Sequence, residues 1–405
     1  MKSLKLLSIS ILSFYFTSCS TDEKARSKQL NDQLEVIKVD LSEAREGKLS
    51  EFFEPSIEYI WLKDESEESQ LNAGLHQITF YKDKILTLDI FGCKCIKIFN
   101  SSGNYLTKIR AYGEGPDKYL DFDKLMVVKD EVILLGVHPP KLMWFDLEGN
   151  FIREQKQEIH LLSGAYEEKT GRYYFLRSPF TAEDFMILSL DSEFQDTVYS
   201  IPRNPDQYFG NFSSRDFFID QGELLYFSMT FHDTIYQIEG GKIKPRLVLD
   251  FGKYGQDVGE FKEKMEELSG LEQMNYLNNK TKLHFVPNSW YLNKKYFYSL
   301  FRYEDKMYNV FFDRETQQTS VIDWIIQDDI DGGYNPYSIL FHFGNDKVGV
   351  KIPGKTLYKE LQKKKAELGQ KAFEEFVKGK GKNFAQTAFA AKDSENPVLI
   401  VYTSK

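Results

Sequence analysis

The sequence predicts an all-β domain, a six-bladed β-propeller, and three observations support this expectation. Aromatic residues are plentiful, with 33 Phe, 24 Tyr and 4 Trp in 405 residues, and such side chains favour the half-buried faces of β-sheets. A turn motif recurs at an interval of about 46 residues, which lies in the range of a propeller repeat. A strand-like segment with a charged start occurs six times.

The recurring turn is predicted to close a β-hairpin. It occupies residues 99–106 and again residues 145–152, and each copy places a Gly-Asn pair between apolar residues. This arrangement is typical of the short connection between two antiparallel strands.

The strand-like segments mark six repeat units. They begin with a charged residue and continue with apolar or aromatic ones, at 84–89, 131–136, 172–176, 223–227, 295–299 and 347–350. A blade is a small sheet that cannot bury both faces alone, so blades pack around an axis. We expect the ring to close by pairing residues 398–402 with residues 57–62. A β-sandwich with added helices is the alternative, but it does not require such even spacing.

Two helical segments interrupt the repeat. The interval between the fourth and fifth units is long, and a helical insert near residues 258–279 accounts for the excess. Its apolar residues fall three or four positions apart, at Phe261, Met265, Leu268, Leu271 and Met274, which places them on one helix face. A C-terminal helix is predicted near residues 356–377, with the apolar stripe Leu357, Leu361, Leu368, Ala372 and Phe376.

The first residues are predicted to be a secretory signal for a lipoprotein. Lys2 and Lys5 precede an apolar run over residues 6–16, and small residues stand before Cys19. A transmembrane anchor is the alternative, but the run is shorter than the roughly 20 residues that span a bilayer. We expect residues 1–18 to be removed and Cys19 to carry acyl chains.

The next residues are expected to form a tether. Residues 19–50 are polar and poor in aromatics, which is typical of a flexible linker, and residues 51–405 are expected to form the propeller domain. The acidic stretch at 20–23 resembles a surface-export signal of some outer-membrane lipoproteins, or is a plain polar tether. The expected location is therefore the outer membrane, at its periplasmic face or at the cell surface.

Charge and cysteine content exclude several functions. The net charge of −9 argues against nucleic acid and anionic lipid as partners. Cys93 and Cys95 are the remaining cysteines. A bridge between residues two apart in a strand would strain the backbone, so free thiols are expected. No His or further Cys lies near this pair to complete a metal site, and no cofactor is expected.

The motifs together resemble a known group of proteins. Residues 99–106, the loop 111–119 with its Gly-x-Gly-Pro core, the Asp-rich stretch 328–333 and residues 396–399 carry the resemblance. With them the chain is similar to six-bladed β-propeller lipoproteins of unknown function, an NHL-like bacterial group. The resemblance implies the fold and an envelope location, but no reaction, because fold does not dictate function.

The Gly-x-Gly-Pro loop is a candidate binding surface at one end of the axis. Its residues are Arg110, Tyr112, Gly113, Glu114, Gly115 and Pro116. The glycines allow backbone angles that other residues avoid, and the proline stiffens the turn. A plain connection between blades that needs those angles is the alternative. The loop lacks the Gly-Lys-Ser/Thr ending of a phosphate loop.

The Asp-rich stretch is a candidate calcium site. Asp328, Asp329 and Asp331 resemble part of a calcium loop, but the twelfth position of an EF-hand counted from Asp328 is Ile339 instead of Glu. A partial site of oxygen ligands remains an option beside a simple acidic turn.

The sequence contains no motif that identifies a reaction. The six His residues show no zinc-ligand spacing, and no nucleophile elbow is present. The first hypothesis is therefore a membrane-tethered scaffold whose propeller binds a glycan, a peptide or an envelope protein. The alternatives are a lyase or hydrolase with a site at the propeller axis, acting on an extracellular substrate, and a structural subunit of an envelope complex.

Overall fold

The structure is a computed structural model of the chain. It describes residues 34–72, 77–177, 185–202, 217–220, 224–228, 233–255, 258–336, 341–344 and 346–405. The expected signal peptide, Cys19 and the first part of the expected linker lie outside these residues.

The described chain starts with strands that pair with distant partners, followed by three regular sheets. The first strands are β1 (Glu35–Lys38), β2 (Arg45–Lys48) and β3 (Phe53–Trp61). The first sheet contains β4 (Gln77–Tyr81), β5 (Lys84–Asp89), β6 (Cys95–Asn100) and β7 (Tyr105–Ile109). The second contains β8 (Asp121–Val128), β9 (Glu131–His138), β10 (Lys141–Asp146) and β11 (Phe151–Lys156). The third contains β12 (Leu161–Glu167), β13 (Arg172–Arg177), β14 (Phe185–Leu190) and β15 (Thr197–Pro202).

Three further sheets incorporate the N-terminal strands. The fourth contains β16 (Phe218–Asp220), β17 (Leu225–Ser228), β18 (Thr234–Glu239), β19 (Lys242–Asp250) and β1. The fifth contains β20 (Leu283–Leu292), β21 (Tyr296–Tyr303), β22 (Lys306–Asp313), β23 (Gln318–Gln327) and β2. The sixth contains β24 (Phe341–Gly344), β25 (Lys347–Pro353), β26 (Pro397–Ser404) and β3. The described part of the chain thus forms six sheets of four or five strands.

The sheets are arranged as in a propeller. The first strand of one sheet contacts the first strand of the next, since β4 lies against β8, β8 against β12 and β12 against β16. β20 contacts β24, and β24 returns to β4. The chain therefore has a propeller-like all-β fold.

The predicted repeat corresponds to one strand position. The strand-like segments expected from the repeat are the second strands β5, β9, β13, β17, β21 and β25. These strands are mostly buried because they lie between neighbours in the sheet and between two sheets. In the fourth unit, residue 223 lies outside the described residues, and β17 begins at Leu225.

The two predicted hairpins are confirmed and share one geometry. Gly103 and Gly149 have φ angles of 78° and 97°, which favour glycine in such turns. Phe99 packs edge-on against Tyr105 with ring centroids 5.8 Å apart. In the second hairpin Phe145 packs on Phe151 at 5.7 Å in the same way. The repeat therefore reflects packing of the third strand on the fourth.

The expected linker proves wrong for residues 35–48, where β1 and β2 form. β1 pairs in parallel with β19, and β2 pairs in parallel with β23. The N-terminal segment thereby extends the fourth and fifth sheets, and its alternating buried residues explain why it is held. β3 then pairs with β26, matching Ile57 with Tyr402 and Trp61 with Val398, as expected for the closing strand.

The helical segments are present but broken into shorter helices. The described helices are α1 (Leu49–Phe52), α2 (Val258–Glu267), α3 (Gly270–Asn279), α4 (Gly354–Leu368), α5 (Gln370–Lys378) and α6 (Lys382–Ala390). Ser269 and Glu272 form a capping box that starts α3. Gly369, with a φ of 73°, separates α4 from α5. Leu357, Leu361 and Phe384 are fully buried, so this helical unit shares the core of the fifth and sixth sheets.

The expectation of free thiols is also wrong, because Cys93 and Cys95 form a disulfide. The expectation assumed that both residues lie in one strand. In the structure β6 begins only at Cys95, and Lys94 has a φ of 48°. This turn conformation brings the two side chains together, with the Cα atoms 5.2 Å apart.

Candidate functional site

The connections between strands differ in length at the two ends of the sheets. Where the connecting residues are described, first and second strands, and consecutive third and fourth strands, are joined by short turns such as Lys82–Asp83 and Gly240–Gly241. The connections after the second and fourth strands include the loop at 110–120 and the helices α2 to α6. Because neighbouring strands of a sheet are antiparallel, the two kinds of connection lie at opposite ends. We call the end with the connections after the second and fourth strands the long-connection end. The Gly-x-Gly-Pro loop and the Asp-rich stretch both belong to it.

The Gly-x-Gly-Pro loop joins β7 to β8 and has a fixed backbone. The N–H of Gly113 donates to the carbonyl of Tyr119 at 2.9 Å, and the glycines at 113 and 115 have φ angles of 142° and 136°. The carbonyl of Pro116 accepts a bond of 2.9 Å from the buried ammonium of Lys141. The loop is thus a connection between sheets that needs its glycines. Its binding role stays a prediction.

Several predicted residues of this loop are exposed beside the Cys93–Cys95 turn. Arg110 Nε donates to the carbonyl of Cys93 at 3.1 Å. The ring of Tyr112 lies 5.2 Å from Lys94 Nζ and 5.9 Å from the Arg110 guanidinium, within reach of cation–π attraction. The hydroxyl of Tyr119 donates to the Lys94 carbonyl at 2.7 Å, and burial raises the pKa of Tyr119 to about 12. The loop and the turn therefore form one rigid unit.

The same unit exposes three large apolar side chains. Phe91 is 71% exposed, Tyr112 47% and Leu120 38%. Lys94 Nζ donates to the carbonyl of Leu120 at 3.0 Å, which ties this residue to the turn. We call Phe91, Tyr112 and Leu120 the apolar rim. The sequence pointed to Tyr112, whereas Phe91 and Leu120 stand in no recognisable motif.

The three aspartates of the Asp-rich stretch have separate roles. Asp328 organises the turn, because its carboxylate accepts the backbone N–H groups of Ile330, Asp331, Gly333 and Tyr334. Asp329 accepts from the N–H and the hydroxyl of Ser50, at 3.0 and 2.6 Å, and so binds the N-terminal segment. Asp331 accepts from the Tyr59 hydroxyl at 3.3 Å. The arrangement ties the fifth sheet to neighbouring parts of the fold.

The electrostatics of this stretch centre on Asp331, which is buried beside the Asp328 carboxyl. Burial raises the pKa of Asp331 to about 7, and a hydrogen bond with the neighbouring Asp328 carboxyl and its charge act in the same direction. Among the described residues no group of three or more His, Cys, Asp or Glu side chains could hold a metal ion. Calcium binding at Asp328, Asp329 and Asp331 stays a prediction.

A polar contact that sequence reasoning missed joins the second and third sheets. The pairing of β8 with β9 skips Asp123, which creates a β-bulge at that residue, and bulges often re-aim side chains near functional sites. Asp123 is 5% exposed, and its Oδ2 lies 2.6 Å from Nε2 of half-buried His160. Burial lowers the pKa of the adjacent Lys124 to about 7. No sequence signal reveals the bulge that creates this contact.

Within the described residues, no helix has the length and apolar character needed to cross a membrane.

Solved structures with a similar fold include two from Bacteroides species. A Bacteroides fragilis NCTC 9343 protein, provisionally named an exported protein, is 15% identical and matches 92% of this chain and 100% of its own, with a TM-score of 0.70. A member of the DUF4221 family from Bacteroides vulgatus ATCC 8482 is 9% identical, with 87% and 97% covered and a TM-score of 0.51. At these identities the likeness concerns the fold alone. No curated protein matches the chain.

The sequence match to a family extends over nearly the whole described domain. It covers residues 34–403, and so it begins beside β1 and ends in β26, the strands that enter the fourth and sixth sheets. The chain therefore belongs to the family described as a domain of unknown function, DUF4934.

Proposed function

We propose that this chain is an envelope lipoprotein whose propeller binds a glycan, a peptide or an envelope protein at its long-connection end. One observation carries the proposal: the helices α2 to α6, the Gly-x-Gly-Pro loop and the apolar rim all belong to that end. The opposite end is built from short turns. Ligand sites favour concave places where several elements converge, and loops carried by a rigid scaffold are where binding residues concentrate.

The proposal includes six blades around one axis. Its support is that each described sheet corresponds to one sequence repeat, and that first strands of five successive pairs of sheets contact one another. The pairing of β3 with β26 supports closure by the two ends of the domain. A ring of this kind is rigid and presents its connections as one surface.

The proposal also includes an acyl anchor at Cys19, on the outer membrane. Leu34 is the first described residue, so residues 19–33 would form the tether. Fully extended, they would reach roughly 50 Å, at about 3.3–3.6 Å per residue. That length would let the domain stand clear of the membrane surface, at either the periplasmic face or the cell surface.

Replacing the expected anchor residue tests this part of the proposal. The Cys19→Ala variant should move from the membrane pellet to the soluble fraction, because its acyl chains are lost. Cys93→Ser is the matched control, since it removes a cysteine that is not expected to be acylated, and it should stay with the membranes. Membrane pelleting of Cys19→Ala would contradict the anchor.

Binding is tested with the soluble Cys19→Ala chain on arrays of glycans and peptides. We expect the double substitution Phe91→Ser and Tyr112→Ser to weaken a bound probe at least tenfold. Ile152→Ser is the control, because Ile152 is 44% exposed on β11 but belongs to no long connection. Equal losses in the two variants would contradict binding at the long-connection end.

A second candidate function is an axial lyase or hydrolase. The contact between Asp123 and His160 favours it, because a buried carboxylate beside a half-buried imidazole is a common arrangement for general acid–base chemistry. If wild type cleaves polysaccharides or peptides, His160→Gln should abolish product formation and the exposed-site control His138→Gln should retain it. Unchanged cleavage by His160→Gln would contradict this function.

A further inference from the structure

The Cys93–Cys95 disulfide adds little to the shape of the turn that holds it. It closes a very short loop, and a cross-link restricts the unfolded chain less as the loop becomes shorter. The turn is also held by other bonds: the Asp89 carboxylate accepts from the backbone N–H groups of Phe91, Gly92 and Cys93. The backbone is thus arranged by hydrogen bonds that do not depend on the disulfide, which leaves a chemical role for the sulfur atoms.

The two sulfur-bearing residues differ in exposure. Cys95 is fully buried, whereas Cys93 is half-buried in the turn. An attacking thiolate therefore reaches Sγ of Cys93, and Cys95 is the leaving group. Lys94 stands between them, and Arg110 donates to the Cys93 carbonyl. Positive charge near a cysteine favours its thiolate form, and these two cations belong to the same rigid unit as Cys93.

The apolar rim lies beside this turn. Phe91 belongs to the turn itself, the ring of Tyr112 approaches Lys94, and the Leu120 carbonyl binds the Lys94 ammonium. Exposed apolar side chains that cluster can mark interaction sites, and these three are tied to one turn. We propose that Cys93–Cys95 is a thiol–disulfide exchange site for a cysteine-containing polypeptide held by the apolar rim, an activity that goes beyond the binding role proposed above.

The exchange proceeds in two balanced steps. A thiolate of the polypeptide attacks Sγ of Cys93, forms a mixed disulfide and releases the Cys95 thiolate, which takes up a proton. A second thiolate of the same polypeptide, or of another one, then attacks the polypeptide sulfur and releases the Cys93 thiolate. The polypeptide is oxidised to a disulfide, and the Cys93–Cys95 pair is reduced to two thiols.

The first test measures this reduction on the full chain carrying Cys19→Ala, so that only the two cysteines react. The probe is a synthetic peptide with one cysteine flanked by leucines, and alkylation followed by mass spectrometry counts the new protein thiols. The reference is an oxidised peptide copied from residues 92–96. We expect the protein to react at least tenfold faster than the reference, and at least threefold slower once Phe91→Ser or Tyr112→Ser is introduced. Equal rates for protein and reference would overturn the proposal.

Two single-cysteine variants test which sulfur reacts. The probe peptide is now activated as a disulfide with thionitrobenzoate, whose release is followed by absorbance. Cys95→Ser should form a mixed disulfide through Cys93 and release one thionitrobenzoate, whereas Cys93→Ser should react at least tenfold more slowly because Cys95 is buried. Comparable rates for the two variants, with native circular dichroism, would overturn the assignment. If either variant fails to fold, the proposal is judged by the first test, which compares the reduction rate of Cys93–Cys95 in the protein with that of the reference peptide. Neither measurement depends on the acyl anchor.

Discussion

The most decisive stability prediction concerns Glu35, the first residue of β1. Its carboxylate lies between two guanidinium groups, with Oε1 at 2.5 Å from Arg246 Nη2 and at 2.8 Å from Arg314 Nη2. The three side chains are 6%, 2% and 9% exposed. Arg314 also donates to the carbonyl of Asn293 at 2.6 Å. The carboxylate thus joins the N-terminal segment to the fourth and fifth sheets.

Glu35→Gln keeps the size of this side chain but removes its charge. Two guanidinium groups then remain in the interior without their anion, and breaking a buried ion pair in this way typically costs about 3–5 kcal/mol. The population of the unfolded state should rise by roughly two to three and a half orders of magnitude. The matched control is Glu58→Gln, which breaks the Glu58–Lys347 pair, whose side chains are 49% and 39% exposed. An exposed pair of this kind contributes about 0–1 kcal/mol.

The assay is urea unfolding followed by tryptophan fluorescence and circular dichroism. We expect the midpoint to fall clearly for Glu35→Gln and to change little for Glu58→Gln, with similar m-values in both. Arg314→Met added to Glu35→Gln should restore part of the loss, because it removes one of the two uncompensated charges. If Glu35→Gln costs less than about 1 kcal/mol, the three side chains do not form a buried ion cluster, and our reasoning about the N-terminal segment is wrong.

Three further predictions test other parts of the fold. The raised pKa of Asp331, about 7, means that the folded state keeps a proton that the unfolded state has lost. The free energy of unfolding should therefore fall between about pH 4 and pH 7, by at most about 1.4 kcal/mol per pH unit, and Asp331→Asn should flatten this slope in urea titrations; identical slopes would contradict it. Gly103→Ala should cost at least twice as much as Gly240→Ala in the same assay, because both positions have positive φ but only at Gly103 would a Cβ meet the Trp61 carbonyl, at 1.9 Å. Deleting residues 398–402 should abolish the cooperative melting transition, since these residues link β25 to β3; an unchanged melting curve would place ring closure elsewhere.

The features that sequence reasoning found are local or periodic. The hairpins could be predicted because Gly103 and Gly149 stand in turns whose geometry requires glycine. The second strands could be predicted because each is a short apolar run bounded by turn residues, repeated at nearly even intervals. The pairing of β26 with β3 could be predicted because a closed ring requires the last strand to pair with an early one.

The features that sequence reasoning missed depend on tertiary contacts. Residues 35–48 are polar and resemble a linker, yet Glu35 is held by two arginines more than about 200 positions away. The disulfide depends on the conformation of Lys94, which no pattern of residue types reveals. The contact of Asp123 with His160 depends on a β-bulge. In the candidate site, Tyr112 was found through its neighbouring glycines, while its companions in the rim have no such signal.

The pairing of the N-terminal strands has a consequence for the order of folding. β1, β2 and β3 pair with strands that are synthesised much later. Glu35 pairs with Leu247, Arg45 with Ile322 and Trp61 with Val398. Such distant contacts slow folding, because a long loop must close before any pairing is gained. The strands that leave the ribosome first therefore find their partners only after much of the chain has been made. β3 in particular cannot complete the sixth sheet until β26, the final strand, has been made.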